Sequence, residues 1–159
     1  MEKIYTVIGL MSGTSMDGID TSIIKSNGED EFTVIKDEHF EYPDDIFEKL
    51  ADLREKITNL RDLQILKKKI NLLEKDFTLF NAEIVNNIVK KSKVEIDFVG
   101  FHGQTIFHSF EEKNTRQLGD GNLLSQILKK KVIFNFRKKD MLNGGEGAPL
   151  TPIFHKLLI

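Results

Sequence analysis

The distribution of glycine constrains this chain more than any other feature of its sequence. All of the 11 glycines except Gly28 fall in four short clusters, at residues 9–18, 100–103, 119–121 and 144–147. Glycine is unfavourable inside helices and strands, and it is needed where the backbone adopts a positive φ or approaches a ligand closely. Turns alone would account for the glycines, but each cluster also carries hydroxyl, amide, imidazole or carboxylate side chains. This combination favours four loops that converge on one binding site.

The spacing of apolar residues predicts a mixed α/β domain with a partly parallel sheet and the element order β-β-β-α-β-α-β-α. Strands are predicted at residues 4–10, 19–24, 31–42, 96–101 and 132–136. Helices are predicted at residues 44–56, about 59–91, about 117–131 and 149–159. The first two strands are expected to form a hairpin, and β structure is expected to continue at 106–108 before a polar loop. Asp44 and Asp45 are expected to cap the first helix.

The longest predicted helix carries an apolar stripe from Leu63 to Ile88, in steps of three or four residues. A coiled-coil dimer is the alternative interpretation of such a stripe. Leu72, Leu79 and Val85 widen it beyond the two-position seam of a coiled coil, so packing into the core of the domain is favoured.

The composition is that of one soluble domain. With 159 residues, of which 40% are hydrophobic, the chain can bury a core without disulfides or a structural metal. The absence of cysteine excludes thiolate catalysis and cysteine-based metal sites. The net charge of −2 gives no reason to expect nucleic acid or a membrane as a partner, and the basic runs 129–131 and 137–139 are interpreted as solvated surface. Without a membrane-length apolar run or a signal peptide, a cytoplasmic location is expected.

The first glycine cluster lies in a hydroxyl-rich loop between two predicted strands. Its residues are Gly13, Thr14, Ser15, Met16, Asp17, Gly18, Ile19 and Asp20. Backbone N–H groups and hydroxyls of this kind can surround phosphate oxygens. The loop lacks a Walker A lysine and leads into a strand, which excludes the P-loop and dinucleotide-binding fingerprints. Asp17 or Asp20 would hold a hydrated Mg²⁺, or both would satisfy N–H groups of the turn. No site with a full set of protein metal ligands is predicted.

Polar side chains in the second and third clusters are candidates for binding a substrate. His102 and Gln104 are expected just past the carboxyl end of a strand, where α/β sheets place ligand-binding groups. Gln104 can donate to and accept from sugar hydroxyls, whereas His102 is either a contact or a structural residue. Gln117, Asp120 and Asn122 precede a predicted helix, and the last two are either sugar contacts or helix caps.

The chain contains four motifs in a characteristic order. They are MSGTSMDGID at 11–20, GFHGQTIFH at 100–108, QLGDGN at 117–122, and Asp140 followed by GGEGAPL at 144–150. Together they closely resemble the anhydro-N-acetylmuramic acid kinases over nearly the whole chain. The resemblance implies the ribonuclease H-like fold of actin, Hsp70 and sugar kinases, whose N-terminal half has the element order predicted above.

The resemblance also implies a reaction and the residues that carry it. ATP and water would convert the amino sugar 1,6-anhydro-N-acetylmuramic acid to its 6-phosphate during peptidoglycan recycling. The ATP-phosphate loop of the family maps onto 13–20, with Mg²⁺ accompanying ATP, and its catalytic aspartate maps onto Asp140. A carboxylate can take the proton from the attacking water. On the sequence alone a surface ion pair of Asp140 with Lys138 or Lys139 is favoured, and the adjacent glycine loop together with the resemblance reverses that preference. Arg137 would contact a phosphate or the lactyl carboxylate, or pair with an acid at the sheet edge.

Two departures from the family bear on these expectations. Family members are much longer, because a second domain supplies the adenosine pocket and the far wall of the cleft. Residues 1–159 are therefore expected to be an N-terminal sugar-kinase domain that is truncated at its C-terminal end, inactive alone, and part of a possible homodimer when full-length. A non-catalytic remnant that binds a sugar or a partner is the alternative. The usual Asp-Phe-Arg is Asn-Phe-Arg at 135–137, which places a charge role at Asn135 in doubt.

Overall fold

The computed structural model describes residues 3–156. Its strands are β1 (Tyr5–Ser12), β2 (Gly18–Ser26), β3 (Phe32–Glu41), β4 (Phe98–Ser109), β5 (Asn114–Leu118) and β6 (Lys131–Phe134). Its helices are α1 (Asp44–Lys56), α2 (Leu60–Ile65), α3 (Lys67–Ser92), α4 (Gly121–Leu128), α5 (Phe136–Leu142) and α6 (Pro152–His155). Within this range, no helix combines the length and the apolar character that a membrane span requires.

The six strands form one mixed sheet in the order β3-β2-β1-β4-β5, with β6 also beside β4. β1 and β2, and then β2 and β3, pair antiparallel, whereas β1 and β4 pair in parallel. The outer edge of β4 is shared, since residues 98–101 pair with β6 and residues 104–109 pair with β5. The predicted hairpin and the partly parallel sheet are confirmed.

The fourth strand differs most from its prediction. β4 is 12 residues long, so His102 and Gln104 lie within the strand and not past its end. The strand continues because β5 supplies hydrogen-bonding partners where β6 stops. β5 replaces the end of the predicted polar loop and the first residues of the helix predicted from about 117, because a strand of mostly polar residues at 114–118 gives no apolar signal.

The predicted helices also needed local corrections. The helix predicted at about 59–91 is divided at Leu66 into α2 and α3, and a capping box between Asn59 and Asp62 starts α2. α5 was not predicted, and α4 ends at residue 128 instead of about 131. Asp44 and Asp45 lie in the first turn of α1, but Pro43 occupies the N-cap and no side chain caps this helix. Of the helix predicted at 149–159, residues 157–159 lie outside the described range.

The core lies between one face of the sheet and the helices α1, α3 and α4. Alternate strand residues form the sheet side of the core, namely Ile8, Ile19, Ile23, Val99 and Phe101. The apolar stripe of α3 forms the helix side, namely Ile70, Leu73, Phe77, Ile84 and Ile88. Leu72 and Leu79 lie outside it and are 62% and 40% exposed. The stripe therefore packs into the domain's own core, as the sequence favoured. The opposite sheet face is open, and there Phe136 of α5 lies beside Gly100.

The two sides of α3 should respond differently to truncation. We expect Phe77→Ala to lower the free energy of unfolding by about 3–5 kcal/mol, because it empties a fully buried aromatic position. Leu72→Ala, on the exposed side of the same helix, should change it by less than about 1 kcal/mol. Urea unfolding followed by circular dichroism measures both variants. Similar losses from the two substitutions would contradict this packing.

Candidate functional site

The first glycine cluster forms the turn between β1 and β2. The Met16 N–H donates to the Gly13 carbonyl (3.3 Å), and Met16 takes a left-handed φ of 58° while its side chain is buried. Ser15 Oγ donates to Asp17 Oδ1 at 2.7 Å, and this hydrogen bond lowers the pKa of Asp17. Thr14, Ser15 and Asp17 are exposed. The buried methionine thus anchors a turn whose hydroxyls and carboxylate face solvent.

The two aspartates of this segment have different surroundings. Asp20 lies in β2, and its Oδ1 is 2.8 Å from His39 Nδ1 on β3, a contact that raises the pKa of His39. Asp17 remains at the turn. No three histidine or acidic side chains in residues 3–156 are grouped so that they could hold a metal ion.

Gly18 is required by strand packing. A Cβ at this position would overlap the Phe40 carbonyl oxygen and lie 2.8 Å from His39 Nε2. At Gly13, the nearest atom to a Cβ would be Ser15 Oγ at 3.1 Å, which can rotate away. The close approach of β2 to β3 therefore explains Gly18 without a ligand, whereas Gly13 has no comparable packing constraint.

Gln104 holds the same turn from below. Its side chain is fully buried, accepts from Tyr42 Oη at 3.1 Å through Oε1, and donates to the Gly13 carbonyl at 3.0 Å through Nε2. Burial raises the pKa of Tyr42 to about 12, so the phenol keeps the proton that it donates. Both the oxygen and the nitrogen of the Gln104 amide are bonded to other parts of the protein. In this conformation Gln104 therefore has no free group for the expected contact with a sugar.

Asp140 lies on α5, against the fourth glycine cluster. Its Oδ2 accepts from the Gly147 N–H at 2.8 Å, and its backbone carbonyl accepts from the Gly145 N–H at 3.0 Å. A Cβ on Gly145 would overlap the Asp140 carboxylate, and Gly147 has a φ of 76°. Within residues 3–156, Asp140 forms no ion pair, and Oδ1 accepts no hydrogen bond. The glycine loop thus fixes one carboxylate oxygen and leaves the other open.

Arg137 and His102 bond to each other. Arg137 Nε donates to His102 Nε2 at 2.9 Å, and Arg137 Nη1 donates to the Gly147 carbonyl at 2.7 Å. Burial, and then the charge of Arg137, lower the pKa of His102. The sequence predicted that Arg137 would bind a ligand anion or an acid at the sheet edge. In the structure it donates instead to the imidazole of His102 and to the carbonyl of Gly147.

The third glycine cluster is held by helix α3. Glu74 Oε1 accepts from the Gly119 N–H at 3.1 Å and pairs with Arg116 Nη2 at 2.7 Å. Thr78 Oγ1 accepts from the Asp120 N–H at 3.0 Å. Asp120 Oδ1 then caps α4 by accepting two backbone N–H groups, so the capping alternative is confirmed for this oxygen.

Neither Glu74 nor Thr78 was a sequence candidate. Both lie on the long helix about 40 residues from the loop they hold. The sequence does hold one indication of their role. Glu74 and Thr78 are four residues apart within an apolar stripe, so two polar side chains lie one helical turn apart on a buried face. A cavity of about 250 Å³ beside this loop is bordered by Gln117, Asp120 and, from the next segment, Asn135 and Lys138.

The four glycine clusters meet around residues 102–105 of β4. Gln104 bonds to the first cluster, His102 bonds to Arg137 beside the fourth, and Thr105 Oγ1 accepts from Gln117 Nε2 (3.2 Å) beside the third. A Cβ on Gly103, whose φ is 74°, would overlap the Leu118 carbonyl. The structure therefore brings the four clusters to one strand, and a shared binding site stays a prediction.

Comparison with known proteins places this convergence in a family. The family model described as anhydro-N-acetylmuramic acid kinase matches residues 5–159. The chain belongs to the anhydro-N-acetylmuramic acid kinase family. A kinase of this name from Pelagibacter ubique is 57% identical over 159 residues, covering all of this chain and 42% of the relative. Relatives of the same name from Agrobacterium fabrum and Brucella canis are 35% and 36% identical over 161 residues, covering 99% of this chain and 43% of each relative.

Membership of the kinase family accounts for the mixed sheet, which is the ribonuclease H-like fold expected of sugar kinases. The chain spans less than half the length of the curated relatives that it matches. Asn135, where the family pattern has aspartate, has a φ of 62° at the start of α5, and its side chain does not cap the helix. Asparagine and aspartate both tolerate this left-handed conformation better than most residues, so the backbone accepts either, and nothing in the structure explains the amide.

Gly13 and Gly18, both in the first glycine cluster, should differ in their effect on stability. We expect Gly18→Ala to lower the free energy of unfolding by about 1–3 kcal/mol, because the added methyl group overlaps β3. Gly13→Ala should change it by less than about 0.5 kcal/mol. Thermal and urea unfolding of the two variants provide the comparison. An equal loss at both positions would mean that the turn, and not strand packing, sets the requirement for glycine.

Proposed function

We propose that this chain forms the N-terminal lobe of a kinase that uses ATP and water to convert 1,6-anhydro-N-acetylmuramic acid to N-acetylmuramic acid 6-phosphate. The family and the names of its relatives support the substrate. The observation that carries the proposal is the environment of the Asp140 carboxylate. Its Oδ2 accepts a hydrogen bond from the glycine loop, and its Oδ1 accepts none within residues 3–156. A general base needs this arrangement, a fixed orientation and one free oxygen.

In the proposed reaction, Asp140 removes a proton from a water molecule as that water attacks the anomeric carbon. The bond from this carbon to the bridging oxygen breaks, and the freed 6-oxygen attacks the γ-phosphorus of ATP. The bond between this phosphorus and the β,γ-bridging oxygen breaks, and ADP leaves. One water and one ATP are consumed, and the proton accepted by Asp140 is returned to solvent.

The turn at residues 13–17 would receive the phosphates of Mg²⁺-ATP. Its exposed hydroxyls and backbone face the solvent, and its carboxylate at Asp17 can reach water molecules bound to Mg²⁺. Gln117, Asp120 and Asn122 would bind the sugar. Gln117 and Asp120 border the cavity beside the third glycine cluster, and Asn122 follows Gly121, which also borders it. Gln104 would act indirectly by fixing the Gly13 carbonyl. The reaction would belong to peptidoglycan recycling in the cytoplasm, and the full-length form would be the unit that dimerises.

A hybrid protein tests the proposal. Residues 1–159 of this chain would replace the matching segment of the Pelagibacter ubique kinase, which is similar along the whole chain. We expect ADP release that depends on the anhydro sugar, with a phosphomonoester product visible by ³¹P NMR. A folded hybrid without activity, beside an active parent kinase, would favour the alternative of a non-catalytic binding remnant.

Within this hybrid, Asp140→Asn should lower kcat by about 10²–10⁴-fold and leave KM for both substrates nearly unchanged. The amide can still accept from the Gly147 N–H, but it cannot take a proton from water. Asp44→Asn, which removes a carboxylate from the exposed first turn of α1, is the matched control and should keep full activity. A change in KM alone would assign Asp140 to binding.

The 159-residue chain by itself should not turn over. Phosphoryl transfer depends on positioning the two substrates and excluding water between two lobes, and the relatives have more than twice the length of this chain. The assay is ADP release from the purified chain with Mg²⁺-ATP and the anhydro sugar. Steady release that requires the sugar would contradict this expectation.

A further inference from the structure

A series of hydrogen bonds joins strand β4 to Asp140. His102 Nδ1 is 2.6 Å from the Gly103 carbonyl oxygen, and His102 Nε2 accepts from Arg137 Nε at 2.9 Å. Arg137 Nη1 donates to the Gly147 carbonyl at 2.7 Å, and the Gly147 N–H donates to Asp140 Oδ2 at 2.8 Å. The series links the sheet, helix α5 and the glycine loop, which are held together here by side chains.

The partners of His102 determine its protonation state. A carbonyl oxygen can only accept, so Nδ1 must carry the hydrogen that faces Gly103. A guanidinium group can only donate, so Nε2 must carry a lone pair that faces Arg137. His102 is therefore neutral with its hydrogen on Nδ1. Its burial and the nearby guanidinium charge, which lower its pKa, favour the same form.

Gly147 depends on this series more than the rest of its loop does. Gly144 and Gly145 donate backbone N–H groups to carbonyls of α5, which extends the end of that helix. Gly147 is buried, has a φ of 76°, and packs against Met141 and His108. Within residues 3–156, its carbonyl bonds to Arg137 and its N–H bonds to Asp140. Loss of the Arg137 bond would leave a buried carbonyl unsatisfied, which is unfavourable.

Arg137 is the charged group in direct contact with His102. Other titratable groups are Asp20, Asp37, Glu38 and His39, which line the cavity beside His102, and those on β4, β5, β6 and α5, which are His108, Arg116, Lys131, Lys138, Lys139 and Asp140. Asp20 pairs with His39, Asp37 accepts from Ser22, and Glu38 pairs with two lysines. β1 contributes only uncharged residues to the shared cavity. In the described range no acid pairs with Arg137, so a protonated His102 would face an uncompensated guanidinium.

We propose that neutral His102 is a positioning residue, which orients Arg137 so that Arg137 holds Gly147 and the glycine loop against Asp140. Protonation of His102 removes the acceptor for Arg137 Nε and releases Gly147. We call this series of hydrogen bonds, from His102 through Arg137 and Gly147 to Asp140, the relay. Its effect on catalysis rests on the proposed function of Asp140, whereas the relay itself does not. The relay makes the loop around Asp140 sensitive to acid through a residue that need not touch the substrate.

The isolated chain tests the relay by NMR without any turnover. Long-range ¹H–¹⁵N spectra of the ¹⁵N-labelled chain report the tautomer and the titration of each histidine, and His102→Gln identifies the His102 signals. We expect His102 to carry its hydrogen on Nδ1 and to titrate below the ordinary histidine range, whereas His39 titrates above it. Because folding lowers the pKa of His102, its contribution to stability falls as pH drops below about 6.5, the ordinary histidine value.

Hydrogen exchange at the Gly147 amide then links this titration to the loop. After correction for the intrinsic pH dependence, exchange should accelerate by about tenfold or more on acidification, with the midpoint of His102, as expected when one buried hydrogen bond is lost. His102→Gln offers an acceptor that does not titrate and should keep Gly147 protected across this pH range. His102→Leu offers none and should expose Gly147 at every pH. His39→Gln, on the same sheet face, is the matched control and should leave Gly147 unchanged.

Three results would overturn the inference. They are a neutral His102 with its hydrogen on Nε2, a His102 titration in the ordinary range, or Gly147 exchange that is indifferent to His102 in folded variants. In the hybrid kinase, kcat should fall on acidification with the His102 midpoint, and His102→Gln should remove that step. An inactive hybrid with an intact NMR relay would contradict only the proposed function. An active hybrid with an indifferent Gly147 would contradict only the relay.

Discussion

The candidate site depends on a break in the alternation of strand β4 at Gly103. In a regular strand, residues 102 and 104 would lie on the same face of the sheet. The positive φ of Gly103 separates them, so His102 lines the open face and Gln104 lies on the buried face beside Tyr42. Residues 102–104 can therefore bond to the turn between β1 and β2 on the buried face of the sheet and to Arg137 on its open face. A side chain at position 103 would clash with β5, which makes this glycine essential to the arrangement.

Buried hydrogen bonds, more than surface charge, fix the geometry of the loops. Gln104 and Thr78 are fully buried, and each supplies a polar group to a loop backbone. An unsatisfied buried polar group costs about 1–3 kcal/mol, so the loops have few alternatives to these partners. The ion pairs along α1, such as Lys49 with Asp45, are half exposed and contribute about 0–1 kcal/mol each. The site is thus rigid where its segments meet β4 and α3.

Much of the fold and part of the site could be predicted, and the limits have physical causes. Apolar periodicity predicted the first three strands and the core-facing stripe of α3, because burial on one face imposes that spacing. It missed β5, whose residues are mostly polar and which exists because β4 offers it a free edge. The sequence did not indicate Glu74, which bonds to Gly119, or Tyr42, which bonds to Gln104. In each pair the two residues are more than 40 positions apart and meet only after the chain has folded.

The sequence by itself determined that four glycine-rich segments with reactive side chains would meet, because glycine is retained where backbones must come close. It also determined the family, through motifs in a fixed order. Only the tertiary structure decided which side chains remain available at the site. It turned Gln104 inward and made His102 an acceptor for Arg137, while Asp140 kept one open oxygen. The reason is that hydrogen-bond partners are set by distances between elements far apart in the chain, and no local pattern records those distances.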